Sequence, residues 1–572
     1  MLDGLFRGLR IGLAGVLTVI MSGDNEAAAA KKKKKDTPEK TVISDPHRAG
    51  RSMAMARKGM VASSHYLATQ VGLEILQQGG TAMDAAVAVA ATLGVVEPAM
   101  IGIGGDAFFL YYDAKTKKVY SYDGSGRSPK GLSRVYFDEK EEKKIDGGSW
   151  EAVTVPGAVD AYAAGLERFG KLSLSEVLKP AIRHAREGHP VHEVVATVWG
   201  TQVSKLRRDE WAMKLKLVDG KAPKAGSIFV DDALADSLQL IADGGRDAFY
   251  KGPIAEEIVR YSNESGGFFT LDDFSEHVGD WTEPVSVNYR GFNVYQCPPS
   301  GQGSATLLML NILEGFDLPS MDYNSPEYLH LLIEAKKLAY ADIKKFFGDP
   351  ARGDIPVEAL LSDDYAAERR ALINPKKAAK EVDPGTPKNG DTAYMTVVDS
   401  EGNACSFINS LFGPFGTGIV GGSTGIPLQN RGNGFTLEEG HFNEYAPGVR
   451  PFHTIIPGMV TKDGDLYMSY GLMGGSMQPQ GHVQFLLSHI DHGFTIQEAA
   501  EIPRFRHTGG LTVRLESGTP ESVFKGLAKM GHDTKPGSYV QMGGAQAIMV
   551  HPESGVLLGA SDPRKDGVAL GY

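Results

Sequence analysis

The chain has 572 residues, 42% of them hydrophobic and 23% charged, with a net charge of −11. That balance excludes a disordered chain, and the acidic excess argues against nucleic acid as the main partner, because phosphate binding needs a basic face. With only two cysteines, Cys297 and Cys405, there is no disulfide framework and no cysteine-rich metal site. No apolar run reaches the roughly 18 residues of a clear membrane span. The length exceeds one ordinary core of about 100–200 residues, and the 70 glycines fall in clusters, which mark tight turns or close backbone approach to a ligand.

In chain order, Arg7 and Arg10 precede an apolar stretch from Ile11 to Met21 and a small-residue run from Ala27 to Ala30. This is the order of a secretory signal, followed by a basic linker, Lys31 to Lys35. Residues 1–35 are therefore set apart from the fold, and a periplasmic or secreted protein is expected. An uncleaved interfacial anchor and a cytoplasmic protein with a mis-called start are the alternatives. Helices are expected over Ser64–Gln78 and Met83–Gly94, where Ala85, Ala86, Ala88, Ala90 and Ala91 permit close packing. Asp106–Asp113 and Val119–Tyr122 read as a strand hairpin. Gly102-Ile-Gly104-Gly-Asp-Ala107 fits G-x-G-x-x-A, but it opens a strand where a dinucleotide loop opens a helix, so it reads as a tight turn.

Residues 157–350 read as mostly helical, ending in a helix over Tyr328–Phe347. Residues 365–390 form an exposed, turn-rich linker. Two hairpins follow, Thr392–Asp399 with Ala404–Ser410, and Thr454–Thr461 with Leu466–Tyr470. Met473-Gly474-Gly475-Ser476 then leads into a helix at Gln480–His489. Strand hairpins flanked by long helices give an α+β fold with antiparallel sheets covered by helices. Consecutive glycine amides at a strand-to-helix turn can face an anion, such as the oxyanion of acyl transfer, or form a plain turn.

Gly59-Met-Val-Ala-Ser-Ser-His65, Gly79-Gly80-Thr-Ala-Met-Asp84-Ala-Ala86 and Gly102-Ile-Gly104-Gly105 resemble the opening motifs of γ-glutamyltransferases. Asp391-Thr392, Phe415-Gly-Thr-Gly418, Met473-Gly474-Gly475-Ser476, Gly559-Ala-Ser-Asp-Pro563 and Gly571-Tyr572 match the remaining motifs in the same order. The resemblance covers about residues 45–572. It implies a proenzyme with the four-layer αββα N-terminal-nucleophile hydrolase fold, two stacked sheets between helix layers. It also implies self-cleavage between Asp391 and Thr392, giving a large subunit, 36–391, and a small one, 392–572, which stay together. Thr392 would then be the nucleophile, its freed α-amine serving as base, with Gly474 and Gly475 as the oxyanion hole and Ser410 supporting the threonine. The expected activity is glutathione hydrolysis or γ-glutamyl transfer through a threonine acyl-enzyme, with no cofactor.

The acyl pocket departs from the family pattern. Ser125 stands where an arginine is expected, with Arg127 two residues on. Gly434 replaces an acidic partner for an α-ammonium, Phe412 replaces an asparagine, and His453-Thr454 replaces a serine pair. Arg431 offers a planar fork suited to a carboxylate. Arg431, His453, Thr454 and Arg127 are thus the candidate substrate contacts. The pocket resembles the branch containing oxamate amidohydrolases and glutaryl-type cephalosporin acylases, whose substrates lack the α-amino group. Two alternatives follow: an amidohydrolase for such carboxylate-bearing amides, and an unprocessed binding protein. His65, His453, His482, His489 and His492 form no H-E-x-x-H spacing, so no catalytic metal is expected and activity should survive a chelator. Cys297 and Cys405 fall on opposite sides of the cleavage point; a disulfide between them would tether the two subunits, and a pair of free buried thiols is the other reading.

Overall fold

The computed structural model describes residues 50–382 and 391–572; the signal segment and the last part of the linker lie outside the described residues. Fourteen strands build two seven-stranded sheets. Before the linker come β1 (Ala54–Ala56), β2 (Met60–Ser63), β3 (Asp106–Asp113), β4 (Lys118–Gly124), β5 (Asp280–Thr282), β6 (Val285–Tyr289) and β7 (Phe292–Gln296). After it come β8 (Asp391–Val398), β9 (Ala404–Phe412), β10 (Gly458–Lys462), β11 (Asp465–Met473), β12 (Gly544–Val550), β13 (Leu557–Ser561) and β14 (Val568–Gly571). The first sheet runs β14-β2-β8-β9-β3-β4-β5 and the second β1-β13-β12-β11-β10-β7-β6. Every pairing in both is antiparallel. Each sheet mixes strands from both sides of the linker, so neither half can complete a sheet alone.

The two-residue period of the strands sorts their side chains into layers. On β3, Phe108 and Leu110 face the space between the sheets, with Tyr394, Ile408, Met459 and Ile548. Phe109 and Tyr111 face the opposite way, with Ala393, Met395 and Val397 of β8, against helices α1 (Tyr66–Gln77) and α2 (Ala82–Val96). On the far side of the second sheet, Val460, Met468 and Leu472 pack against α3 (Gly303–Glu314), α4 (Pro326–Phe346) and α5 (Gln478–Ile490). Three apolar interfaces separate four layers, helix–sheet–sheet–helix. Helix α2 is buried along its whole length, which its small alanines make sterically feasible. It starts at a capping box in which the Asp84 amide donates to Thr81 Oγ1 at 3.2 Å and the Thr81 amide to Asp84 Oδ2 at 2.8 Å.

Three elements differ from the sequence reading, the first being a helix, Asp363–Ala371, at the start of the stretch read as an exposed linker. The hairpin β6–β7 interrupts the stretch read as helical. Its turn is Arg290-Gly291, with φ of 50° and 84°, the two left-handed residues that a tight antiparallel hairpin needs. Strand β10 begins at Gly458 rather than Thr454, because Thr454 is drawn into side-chain contacts described below. Cys297 lies between the sheets and Cys405 on the helix-facing side of β9; both are buried and free, so they do not tether the halves. Among the described residues, no helix is long and apolar enough to cross a membrane.

Candidate active site

Strand register places the candidate nucleophile position. β8 lies between β2 and β9, and β9 lies beside β3. Asp391 pairs with Phe412 and Ala393 with Asn409, so the backbone at Thr392 faces a two-residue bulge, Ser410 and Leu411, on β9. Bulges of this kind re-aim a strand and recur beside active sites. Ser410 pairs in turn with Asp106 at the start of β3. Position 392, Ser410 and Asp106 thus lie in one row across three adjacent strands.

The second sheet brings the glycine turn to the same end. Thr396 Oγ1 on β8 donates to Ser469 Oγ on β11 at 2.6 Å, and Gly471 packs on the Tyr394 ring, where an added Cβ would come within 2.4 Å. Two residues back along β8 therefore correspond to two residues forward along β11. The next step reaches Thr392 on one strand and Met473 on the other, after which Gly474 and Gly475 turn with φ of 127° and 57°. These values favour glycine. At Gly474 a Cβ would also meet Gly543 Cα at 3.1 Å and Met477 Cβ at 3.2 Å.

Beside this row sits a buried polar cluster. Asp106 Oδ1 accepts from the amides of Gly126 (3.0 Å) and Gly157 (3.1 Å) and from Gln429 Nε2 (2.9 Å). Its Oδ2 lies 3.0 Å from His453 Nε2. Burial alone would raise the Asp106 pKa. The His453 contact, the Arg431 charge and the Gln429 hydrogen bond outweigh it, so the carboxyl is held below its ordinary value and stays ionised. Burial, helped by the Arg431 charge, pushes His453 down to about 4, so its ring is neutral at pH 7.

Arg431 is fully buried. Burial lowers its pKa to about 10 against the pull of Asp106, which leaves it a cation at neutral pH. Its Nη1 donates to Thr454 Oγ1 at 2.9 Å, and the guanidinium lies 4.5 Å from the centroid of the Phe412 ring. Phe412 holds φ at 73°, a left-handed conformation uncommon for a bulky side chain, and its amide donates to Ser410 Oγ at 2.9 Å. Arg431 Nε and Nη2 have no hydrogen-bond partner among the described residues. Two unsatisfied guanidinium donors in a buried position carry a desolvation cost that an incoming carboxylate would relieve.

The two residues that touch Arg431, Phe412 and Thr454, also line a cavity of about 230 Å³, together with Gly434, Phe435 and Phe452 and, among charged groups, Lys143, Lys144, Lys344 and Glu438. Gln302 Nε2 donates to the carbonyls of both Thr454 (2.6 Å) and Gly475 (2.9 Å), tying the pocket wall to the glycine turn. The structure therefore gathers Arg431, His453 and Thr454. Arg127 lies elsewhere, lining a second cavity with Asp273, His277 and Asp280, its Nη1 donating to the Val278 carbonyl at 3.4 Å. Ser125 is buried and spends its hydroxyl and amide on Asp123 Oδ1. Asp106, Gln302 and Gln429 were not singled out from the sequence as site residues. Asp106 carries a faint signal, a lone acid between a glycine turn and an aromatic strand. The two glutamines carry none, since their partners are remote in sequence. The glycines before Asp106 serve close approach: a Cβ at Gly104 would come within 2.1 Å of the Pro427 carbonyl and one at Gly105 within 2.3 Å of the Ser410 carbonyl.

Known proteins resemble the chain over nearly its whole length. The glutathione hydrolase-like YwrD proenzyme of Bacillus subtilis (strain 168) is 42% identical over 520 residues, spanning 90% of this chain and 98% of that protein. The oxamate amidohydrolase proenzyme of Klebsiella pneumoniae is 33% identical over 533 residues, 91% of this chain and all of that one. The crystal structure of cephalosporin acylase from Bacillus halodurans superposes with a TM-score of 0.87 at 38% identity, covering 92% of this chain and 98% of that chain. Residues 68–572 match the gamma-glutamyltranspeptidase family. The chain is a member of the gamma-glutamyltranspeptidase family, with its N-terminal-nucleophile hydrolase fold.

Proposed function

We propose that the chain is a proenzyme that cleaves itself between Asp391 and Thr392 and then hydrolyses, or transfers, γ-glutamyl-type acyl groups from amides such as glutathione. Residues 36–391 and 392–572 become the two subunits, held together by the sheets they share. Thr392, activated by its freed α-amine, attacks the amide carbonyl. The turn at Gly474 and Gly475 stabilises the oxyanion, Ser410 supports the threonine, and water or an acceptor amine releases the acyl group. The observation that carries the substrate reading is the Arg431 guanidinium, buried beside the cavity with Nε and Nη2 unpaired among the described residues. It suits the carboxylate of the acyl group, with His453 and Thr454 fixing its orientation. Arg127 would act in binding only for a substrate long enough to reach the second cavity. No step calls on a metal, and turnover is expected to withstand a chelator. The signal-like start at residues 1–35 supports export to the periplasm or outside.

One observation favours a second reading, an amidohydrolase for acyl groups that carry a carboxylate but no α-ammonium. Gly434 lines the cavity without a side chain, and the one acid among the cavity's lining residues is the exposed Glu438. Asp106, whose Oδ1 accepts from Gln429 and two amides and whose Oδ2 lies 3.0 Å from His453 Nε2, is not among the residues lining the cavity. An α-ammonium entering here would be desolvated with no carboxylate beside it. Purified, processed enzyme should be given γ-glutamyl, glutaryl and oxamate-type amides in parallel. A γ-glutamyl preference supports the first reading; a glutaryl or oxamate preference transfers the assignment to the second. Equal rates on amides without any acyl carboxylate would refute both.

A further inference from the structure

A second buried cluster lies along α4, away from the acyl pocket. His330 and Glu334 stand one turn apart on α4, and His532 comes from the chain beyond Thr392, just before the strand Asp533–Gly537. His330 Nδ1 is 2.8 Å from His532 Nε2, and His532 Nε2 is 4.0 Å from Glu334 Oε1. The three donor atoms lie within 4.8 Å of one another and all three residues are buried. The outer contacts of His330 and Glu334 are those of ligands held in place. His330 Nε2 lies 2.8 Å from the Asn374 carbonyl, which keeps the proton on Nε2 and leaves the Nδ1 lone pair facing the cluster. Glu334 Oε2 accepts from the Ala379 amide at 3.1 Å, leaving Oε1 for the interior.

We propose that His330, Glu334 and His532 bind a divalent transition-metal ion, zinc by preference, across the boundary between the two subunits. Two imidazoles and one carboxylate are a zinc donor set, and bonds of about 2.0–2.2 Å in a tetrahedron put donors roughly 3.4 Å apart, between the two distances seen. His532 presents Nε2 to the cluster, so ligation puts its proton on Nδ1, an atom buried without a hydrogen-bond partner among the described residues. Glu334 also lines a cavity of about 340 Å³ together with Arg369 and Glu381. The competitor is Lys337, whose Nζ donates to Glu334 Oε1 at 2.7 Å and to the Ala379 carbonyl at 2.8 Å. The Ala379 carbonyl can retain it when the metal takes Oε1. Lys336 is engaged separately, 3.1 Å from His507 Nδ1.

The ion would be structural. Glu334 precedes Tyr340 by six residues, about 9 Å along the helix, and Tyr340 Oη donates to the Ser476 carbonyl beside the glycine turn. Metal there pins α4 of the large subunit to His532 of the small one without touching the reacting atoms. The test is calorimetric titration of Zn²⁺ into metal-stripped, processed enzyme. The expected result is one saturable site per precursor, weakened by at least about 100-fold in H532Q and in E334Q. Co²⁺ titrated into the unmutated enzyme should give the intense visible bands of a tetrahedral site, displaced by one equivalent of Zn²⁺, a readout that stands even where the variants fail to fold. No saturable binding, affinity unchanged in H532Q, or the faint spectrum of six-coordinate Co²⁺ would overturn the proposal.

Discussion

At the scale of single residues, the pocket turns on one cation. Arg431 keeps its charge in a fully buried position because Asp106, held ionised by its own contacts, lies close enough to oppose the cost of burial. Lysine carries the same charge but cannot present two parallel donors to a carboxylate. R431K is therefore expected to lower kcat/KM by about 100-fold, near 3 kcal/mol, on amides with an acyl carboxylate. On a neutral acyl amide of equal length the loss should be several-fold at most. Steady-state kinetics on the pair of substrates checks this; an equal loss on both would mean that Arg431 only supports the fold. Arg431, His453 and Thr454 were legible in the sequence because motif order located them. Asp106 and Gln302 were not, because what makes them matter is contact with Gln429, Thr454 and Gly475, more than 150 residues away in the chain in each case.

At the scale of elements, the glycine turn after β11 has little backbone freedom. An alanine at Gly474 would have to hold φ near 127° and would crowd Gly543 and Met477. G474A is expected to lower kcat by about 10²–10³-fold, the usual loss of an oxyanion donor, with a much smaller change in KM, measured on enzyme that has processed fully. A large rise in KM with kcat intact would place the turn in ground-state binding instead. The hairpins around β3, β8 and β9 were readable from alternating residues between turn signals. β6–β7 carried the same alternation around Arg290-Gly291, but helices on either side masked it. The order of strands in each sheet was beyond local pattern, since β2 pairs with both β8 and β14, partners set by the packing of whole layers.

At the scale of the molecule, the four layers and the mixing of strands explain how a cut chain can stay whole. The layers bury several histidines that remain neutral. Burial lowers His189, His277 and His453 to about 4 and His482 to about 3. Their folded pKa values lie below the ordinary 6.5, so the unfolded chain binds more protons as pH falls. Stability is therefore complete above about pH 6.5 and is lost as pH drops toward 4, each histidine contributing up to about 3 kcal/mol. Glu97, raised by burial to about 7, and Asp342 and Asp566, also raised by burial, act in the opposite sense, losing stability as pH rises, but the buried histidines outnumber them. Thermal unfolding between pH 7 and pH 4 should show a steep fall in Tm, and H482Q should flatten it; a Tm independent of pH over this range would contradict the burial of neutral rings.

The division into subunits is the central claim, and the free state of Cys297 and Cys405 makes it easy to read. On a denaturing gel without reductant, purified protein should separate into two fragments, the smaller of about 180 residues by the span from Thr392 to Tyr572. Sequencing the smaller fragment from its N-terminus should give Thr-Ala-Tyr-Met, and the T392A precursor should remain one band. A single intact chain in the unmutated protein, or a new N-terminus at any other residue, would contradict the account.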